Sequence, residues 1–350
     1  MQHNISTLFI CKSRHTVTTQ PTYSNGDMSS GLFNSAVNVV SMLNDEGIPS
    51  QLVTVGDNND IDREVTKHKP THVFIEALWV VPDKFEVLRR LHPTVTWIVR
   101  IHSETPFLAN EGMAFEWLFR LIKIPNVFIA FNSNYTYHEF LKMITKGHDH
   151  VLCLPNYYEG SKTSLTNINT KPDVLDIGCF GAIRPMKNQL IQAVAAISFA
   201  NKQKKKLRFH VNGTRVEQKG DSVLKNIRSL FANYDQHELV EYHWMPHDKF
   251  VDVISSMDIC MQVSLSETFN IVTADAVIND VPVVVSNEID WICSVFQAKP
   301  TLAKSIVFRL WVTYILGGFG LHAINKWKLR QYNKQAKREW LHELHRTNDK

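Results

Sequence analysis

Thr71–Leu78 (THVFIEAL), Thr94–Ile101 (TVTWIVRI) and Asn126–Phe131 (NVFIAF) are three short apolar runs. Each is rich in β-branched and aromatic residues, and each reads as a strand. Residues 83–91 and 111–123, which separate them, read as helices. The same alternation extends outward on both sides. Upstream come strands at Thr7–Lys12 and Ser50–Val55, a helix over Leu32–Asn44 that stops before Gly47, and a polar helix over Asp62–Lys69. Downstream come a helix at 134–146 and a strand at 149–154. Strands alternating with helices predict a parallel sheet with helices on both faces.

Residues 159–172 (EGSKTSLTNINTKP) are polar and contain Gly and Pro, the composition of a linker. The alternation then restarts. Strands are expected at 174–180, 206–211, 239–243, 258–263 and 282–286, and helices at 187–201, 221–233, 247–256 and 269–278. The tail, 301–350, reads as all helix. The expected organisation is therefore an N-terminal Rossmann-like domain (1–157), a linker (158–172), a second Rossmann-like domain (173–300) and C-terminal helices with a basic tail (301–350). Two such doubly wound sheets would set their strand C-termini across a cleft, the edge at which open α/β sheets bind ligands. That architecture predicts a nucleotide-like ligand and leaves the chemistry open.

The bulk properties fit. The chain has 350 residues, 44% hydrophobic and 21% charged, enough for two cores. Its formal charge is +4, but residues 325–350 hold eight Lys/Arg against three Asp/Glu, so the basic character belongs to the tail. Five cysteines without a C-x-x-C pair suit reduced core thiols. The first thirty residues show no secretory hydrophobic region, so a cytoplasmic location is expected. Residues 305–324 are the one candidate for a membrane span. Arg309, His322 and three glycines interrupt them, and a buried helix broken at Gly317 and Gly318 is the expectation.

Two segments carry chemistry. Ser264–Ser286 (SLSETFNIVTADAVINDVPVVVS) reads as a strand end, Glu267, a helix and a Pro-led strand. With the helix starting near Thr268, the backbone N–H groups of Phe269 and Asn270 would be free to hold phosphate. Glu267 and Asp275, two turns apart, would share one helix face. The blander alternative is a carboxylate complementing the helix dipole and a solvated Asp. Gly178–Asn188 (GCFGAIRPMKN) links a strand to a helix and carries Arg184 and Lys187, which can grip a diphosphate. Two solvated charges near a turn are the alternative.

This combination resembles the retaining glycosyltransferases of family 4, which have the GT-B fold. Their strand–Gly-Arg-x-x-x-x-Lys-Gly–helix motif is matched by Gly181 to Asn188, with a shortened loop and Asn188 in place of the usual Gly. Their Glu-x7-Glu segment is matched by Glu267 and Asp275, the latter one methylene short. Fainter landmarks are the Gly26–Gly31 loop, His102 in VRIHSE, Asn132–Ser133, and Leu154–Asn156 (LPN). The resemblance runs in order over roughly 10–300. It implies that Arg184 and Lys187 neutralise the donor diphosphate, that Gly181, Thr268, Phe269 and Asn270 line the donor with backbone, that Glu267 holds the sugar and Asp275 the ribose, and that Gly31, His102 and Ser133 lie on the acceptor side. It also implies retention of the anomeric configuration, no metal and no cofactor.

Other patterns are set aside. Asp60–Ile61–Asp62 is a D-x-D at a helix entry, where Asp caps well. Gly318–Ala323 fits a dinucleotide fingerprint but follows no strand. His148/His150 and His243/His247 lack further metal ligands nearby in sequence. Lys202–Arg208 reads as a solvated loop. Leu329, Tyr332, Ala336, Trp340 and Leu344 recur at helical spacing in the basic tail. They predict a helix that crosses back onto the N-terminal domain, or else one that meets anionic lipid or DNA. The expected function is transfer of a sugar from a nucleotide-sugar donor to a saccharide, lipid or modified nucleobase. Alternatives are a DNA hydroxymethyl-base glycosyltransferase, an epimerase or hydrolase of the same fold, and a non-catalytic sugar-nucleotide-binding module.

Overall fold

The computed structural model describes residues 5–13, 31–160 and 173–348. Gly26, the rest of the loop before Gly31, and most of the expected linker lie outside them. The chain forms two compact units. The N-terminal unit contains residues 5–13, 31–158 and 332–348, and the C-terminal unit contains 159–160 and 173–331.

In the N-terminal unit the elements are β1 (Thr7–Lys12), α1 (Gly31–Asp45), β2 (Ser50–Val55), α2 (Asp60–His68), β3 (His72–Glu76), α3 (Pro82–Leu91), β4 (Thr96–Ile101), α4 (Thr105–Leu108), α5 (Ala114–Leu121), β5 (Val127–Phe131), α6 (Asn134–Met143) and β6 (Val151–Cys153). All six strands are parallel, in the order β2-β1-β3-β4-β5-β6. The central strands are buried on both faces, which is why their sequences are continuous apolar runs. One face packs Leu8, Ile75, Trp97 and Ile129 with Phe85 and Leu118. The other packs Phe9, Phe74 and Ile98 with Val39 and Leu43.

The C-terminal unit contains β7 (Val174–Gly178), α7 (Gln189–Gln203), β8 (Lys206–Val211), α8 (Gly220–Phe231), β9 (Glu238–Glu241), α9 (His247–Ser255), β10 (Ile259–Gln262), α10 (Ile271–Ile278), β11 (Val283–Ser286), β12 (Gln297–Ala298) and α11 (Ala303–Gly318). Its sheet is also parallel throughout, in the order β12-β11-β10-β7-β8-β9.

The tail is helical but not continuous. α11 ends at Gly318, and α12 (Ile324–Asn348) follows across a bend of 102°. Ile306 and Leu310 anchor α11 in the C-terminal unit's core. Only α12 returns to the N-terminal unit, where Trp340 and Leu344 join the core beside Phe9 and Phe74. His72 of β3 meets Thr347 of α12, Nε2 to Oγ1, at 3.2 Å. No single helix among the described residues is long and apolar enough to cross a membrane; α11 and the helical stretch after it pass that test only together, as a bent pair.

Candidate active site

In each sheet the first strand has neighbours reached in opposite directions, and a parallel sheet opens a crevice at that switch point. In the C-terminal unit it lies between β7 and β10. The loops leaving those two strands carry Lys187 and Glu267, which form an ion pair although they are 80 residues apart.

The first loop is held rigidly. Gly181 has φ +104°, a conformation that disfavours any side chain, and its N–H donates to Asn212 Oδ1 at 2.7 Å. Ile183 makes a parallel bridge to Val216. A Cβ on Gly220 would sit 1.9 Å from the Ile183 carbonyl oxygen, so only glycine allows this approach. Asn188 also has positive φ, +59°, which explains how it replaces glycine: Asn tolerates the left-handed region best among the other residues. Its amide donates to the carbonyls of Val263 (3.0 Å) and Pro300 (2.8 Å).

The second loop differs from expectation. Helix α10 starts at Ile271, not near Thr268, because Asn270 has φ +62° and serves as the N-cap, accepting from the Thr273 N–H. Glu267 therefore lies outside the helix, and no helix face unites it with Asp275. Phe269 is buried and stacked on Trp291, whose indole N–H donates to the Phe269 carbonyl. Thr268 is half-buried. Asn270 is a hub: its amide also donates to Glu267 (3.0 Å) and to Gln262 Oε1 (2.9 Å). Asp275 is buried and bonded by His247 Nε2 at 3.1 Å.

Charge in this cluster favours cations. Arg184 lies 3.8 Å from Glu217, and Arg215 lies 3.1 Å from the same carboxylate. Among the described residues, the three cations Arg184, Lys187 and Arg215 thus lie beside the carboxylates of Glu217 and Glu267. Burial pushes the Lys187 ammonium down, Glu267 pulls it up, and repulsion from Arg184 helps leave it below its usual range. Burial pushes Glu267 up, but Lys187, Arg184 and Asn270 outweigh this and lower it. A further anion would relieve the repulsion among the cations.

The N-terminal unit has its own charged centre at the ends of β3, β4 and β5. Glu76 and Arg100 are register partners, fully buried and 3.3 Å apart. His102 Nε2 lies 2.5 Å from Glu76, and its Nδ1 is 3.4 Å from the Asn132 amide. Arg100 also donates to Asn156 Oδ1 at 2.7 Å, and its guanidinium lies over the Trp340 ring at 5.0 Å. Burial pushes His102 down more than Glu76 lifts it, so its pKa is lowered. Ala77, next after Glu76, has φ +71°, a strained turn for a residue with a Cβ. Ser133 caps α6 by accepting from the Tyr135 N–H, and Gly31 is the first residue of α1.

The sequence reading missed Glu76, Arg100 and Gln262, and weighed His247 only as half of a metal pair with His243. A lone carboxylate in one apolar strand and a lone guanidinium in the next were the available signal for the first two, since a buried charge needs a partner. Among the described residues no group of His, Cys, Asp or Glu could hold a metal. Asp60 instead accepts from the Gly56 N–H at 3.0 Å, and Asp62 bonds His92 at 2.7 Å.

No protein-family model and no curated protein matches the sequence. Solved structures do match in fold. The α,α-trehalose 6-phosphate synthase of Burkholderia multivorans shares 10% identity over 97% of this chain and 96% of its own, with a TM-score of 0.67. A glycosyltransferase from Rickettsia africae shares 12% identity over 99% of both chains, with a TM-score of 0.64. HepE from Anabaena, solved in complex with UDP and glucose, shares 13% identity over 95% of this chain and 98% of its own, with a TM-score of 0.61. The chain therefore has the GT-B fold of these glycosyltransferase structures.

Proposed function

We propose that this protein is a retaining glycosyltransferase that moves a sugar from a nucleotide-sugar donor without a metal ion. The observation that carries the proposal is the cation-rich cluster of Arg184, Lys187 and Arg215 with Glu217 and Glu267, at the switch point of the C-terminal sheet. In this reading Lys187 and Arg184 neutralise the leaving diphosphate, where their charge acts most strongly as negative charge grows. Glu267, held by Asn270, accepts from the sugar hydroxyls. Gly181 and the backbone at Thr268 and Phe269 border the donor. Asp275 and His247 act as a pair near the nucleoside, which revises the simple ribose-carboxylate role. His102, Ser133 and Gly31 remain the acceptor-side candidates. The cations of the protein take the part a metal would play, so no cofactor is needed.

The HepE complex contains UDP and glucose, which favours a uridine nucleotide as the first donor to try. The test is a melting-temperature screen with UDP, GDP, ADP, CMP and their sugar conjugates. At 100 times its dissociation constant a donor stabilises the fold by about 2.7 kcal/mol. A hit is followed by transfer of the labelled sugar to saccharide, lipid and hydroxymethylated-DNA pools, with the anomer read by NMR. No stabilisation by any of them refutes the proposal.

A further inference from the structure

Among the described residues, large exposed apolar side chains concentrate in one short segment. Eight of eighteen lie between Leu302 and Trp327. They include every Phe and Trp of that exposed group: Phe308, Trp311, Phe319 and Trp327, with Phe319 76% exposed. Scattered exposed apolar residues are ordinary, but a concentration of aromatic ones marks an interaction surface.

The helix explains the pattern. Ile306, Leu310 and Thr313 form the buried face of α11. Phe308, Trp311, Ile315 and Phe319, at steps of three and four, form a stripe on the opposite side. α11 is thus apolar on both faces, with only one of them used by the core. Past the bend, Leu321, Ile324 and Trp327 are exposed as well.

Charge identifies the partner. Residues 301–338 contain eight Lys/Arg and no Asp or Glu. Lys304 and Arg330 are exposed and Lys328 is half-exposed, so cations border the apolar segment at both ends. Lys326 pairs with Asp280 and Lys337 with Glu46, while Lys304 and Arg330 stand exposed beside the aromatic side chains, a combination that matches the boundary between lipid headgroups and acyl chains. A nucleic-acid duplex, whose bases are already stacked, would satisfy the cations and leave Phe319 and Trp327 in water. Ile306 and Leu310 are fixed in the core, so α11 can lie on a bilayer but not cross it.

We propose that the α11–α12 elbow docks the C-terminal unit on an anionic lipid surface. Trp311, Phe319 and Trp327 enter the headgroup region, and Lys304, Lys328 and Arg330 meet the lipid phosphates. The surface is separate from the Lys187–Glu267 cluster in its residues and does not depend on the donor reading.

The test uses the full chain in flotation with phosphatidylcholine vesicles, with and without about 30% phosphatidylglycerol, a leaflet-like anionic charge. Flotation with the anionic vesicles only, together with a blue shift of tryptophan emission, is expected. Phe319→Ser/Trp327→Ser should abolish the shift and most of the flotation. Lys304→Gln/Lys328→Gln/Arg330→Gln should weaken binding by about two orders of magnitude, as the loss of three surface cations would. Both variants change exposed side chains, apart from the half-exposed Lys328, and an unchanged melting temperature confirms their folding. Three results overturn the proposal: no flotation of the parent protein, flotation unaffected by either variant, or retention on duplex DNA without flotation. A parent dimer that Phe319→Ser/Trp327→Ser dissociates, again without flotation, also overturns it by making the face a contact between copies.

Discussion

Glu76–Arg100 and Lys187–Glu267 are both carboxylate–cation pairs near the C-terminal edge of a parallel sheet, yet their surroundings are opposite. Glu76 and Arg100 have no exposed side-chain surface. The guanidinium donates to Glu76, Asn156 and the carbonyls of Leu154 and Pro155, and packs on Trp340 from the far end of the chain. Of this network His102, 15% exposed, is the member that reaches solvent. Lys187 and Glu267 are 12% and 14% exposed, and further cations crowd them. The N-terminal centre is closed: its charges are consumed in fixing one imidazole and the docking of α12. The C-terminal centre brings Arg184 and Arg215 close enough to Lys187 to repel it, and is suited to receive an anion. The first should therefore act mainly through stability and the second mainly through function.

The largest effect should come from opening the closed centre. Arg100→Leu removes the buried cation that faces Glu76, and breaking a buried pair costs about 3–5 kcal/mol. Urea unfolding measures it. A loss below about 1 kcal/mol would show that the two centres are alike after all.

Lys187→Ala sharpens the contrast from the other side. If Lys187 neutralises the leaving diphosphate, turnover should fall by about 100- to 1000-fold, the scale for removing one donor at a developing charge. Its effect on stability should be smaller than that of Arg100→Leu, because burial and Arg184 already disfavour the charged lysine. Unimpaired turnover in the folded variant would remove Lys187 from the mechanism.

The sequence made the C-terminal centre partly legible and hid the N-terminal one, for physical reasons. Lys187 and Glu267 stand out because each sits in a loop whose turn chemistry is local: Gly181 and Asn188 supply the positive φ that the first loop requires. The helix was expected to begin near Thr268, but Asn270 takes a positive φ and caps α10, which starts at Ile271. Asn is a preferred N-cap, so Asn270 before the apolar run was the local signal that went unread. The Asp275–His247 pair joins residues 28 apart on separate helices, and no periodicity predicts it. Glu76 and Arg100 meet through strand register, which apolar runs alone do not fix. The alternating elements were legible because central parallel strands must be apolar on both faces. The exposed stripe on α11 was read as core, since composition cannot tell a covered apolar face from an uncovered one.

The smallest predicted effects separate the two units by pH. His72 of β3 is buried, and burial alone pushes its pKa down to about 4. The unfolded chain binds that proton at about 6.5, so protons favour unfolding. Its contribution is complete above 6.5 and is lost as pH falls toward 4, a loss of roughly 3 kcal/mol. In the C-terminal unit the sign reverses. Burial lowers His247, but the bond to Asp275 more than restores it, and its pKa is raised. The pair stabilises fully below the ordinary histidine value and is lost as pH rises through the raised one. His247→Asn should therefore cost about 1–2 kcal/mol at pH 5.5, the scale of a charged hydrogen bond, and little at pH 9. His72→Asn should flatten the acid limb and leave the alkaline limb unchanged. Urea unfolding of the parent and both variants across this range reads both limbs. A His247→Asn cost that grows with pH would show that His247 is neutral in the fold, leaving Asp275 to a different partner and removing the pH contrast between the units.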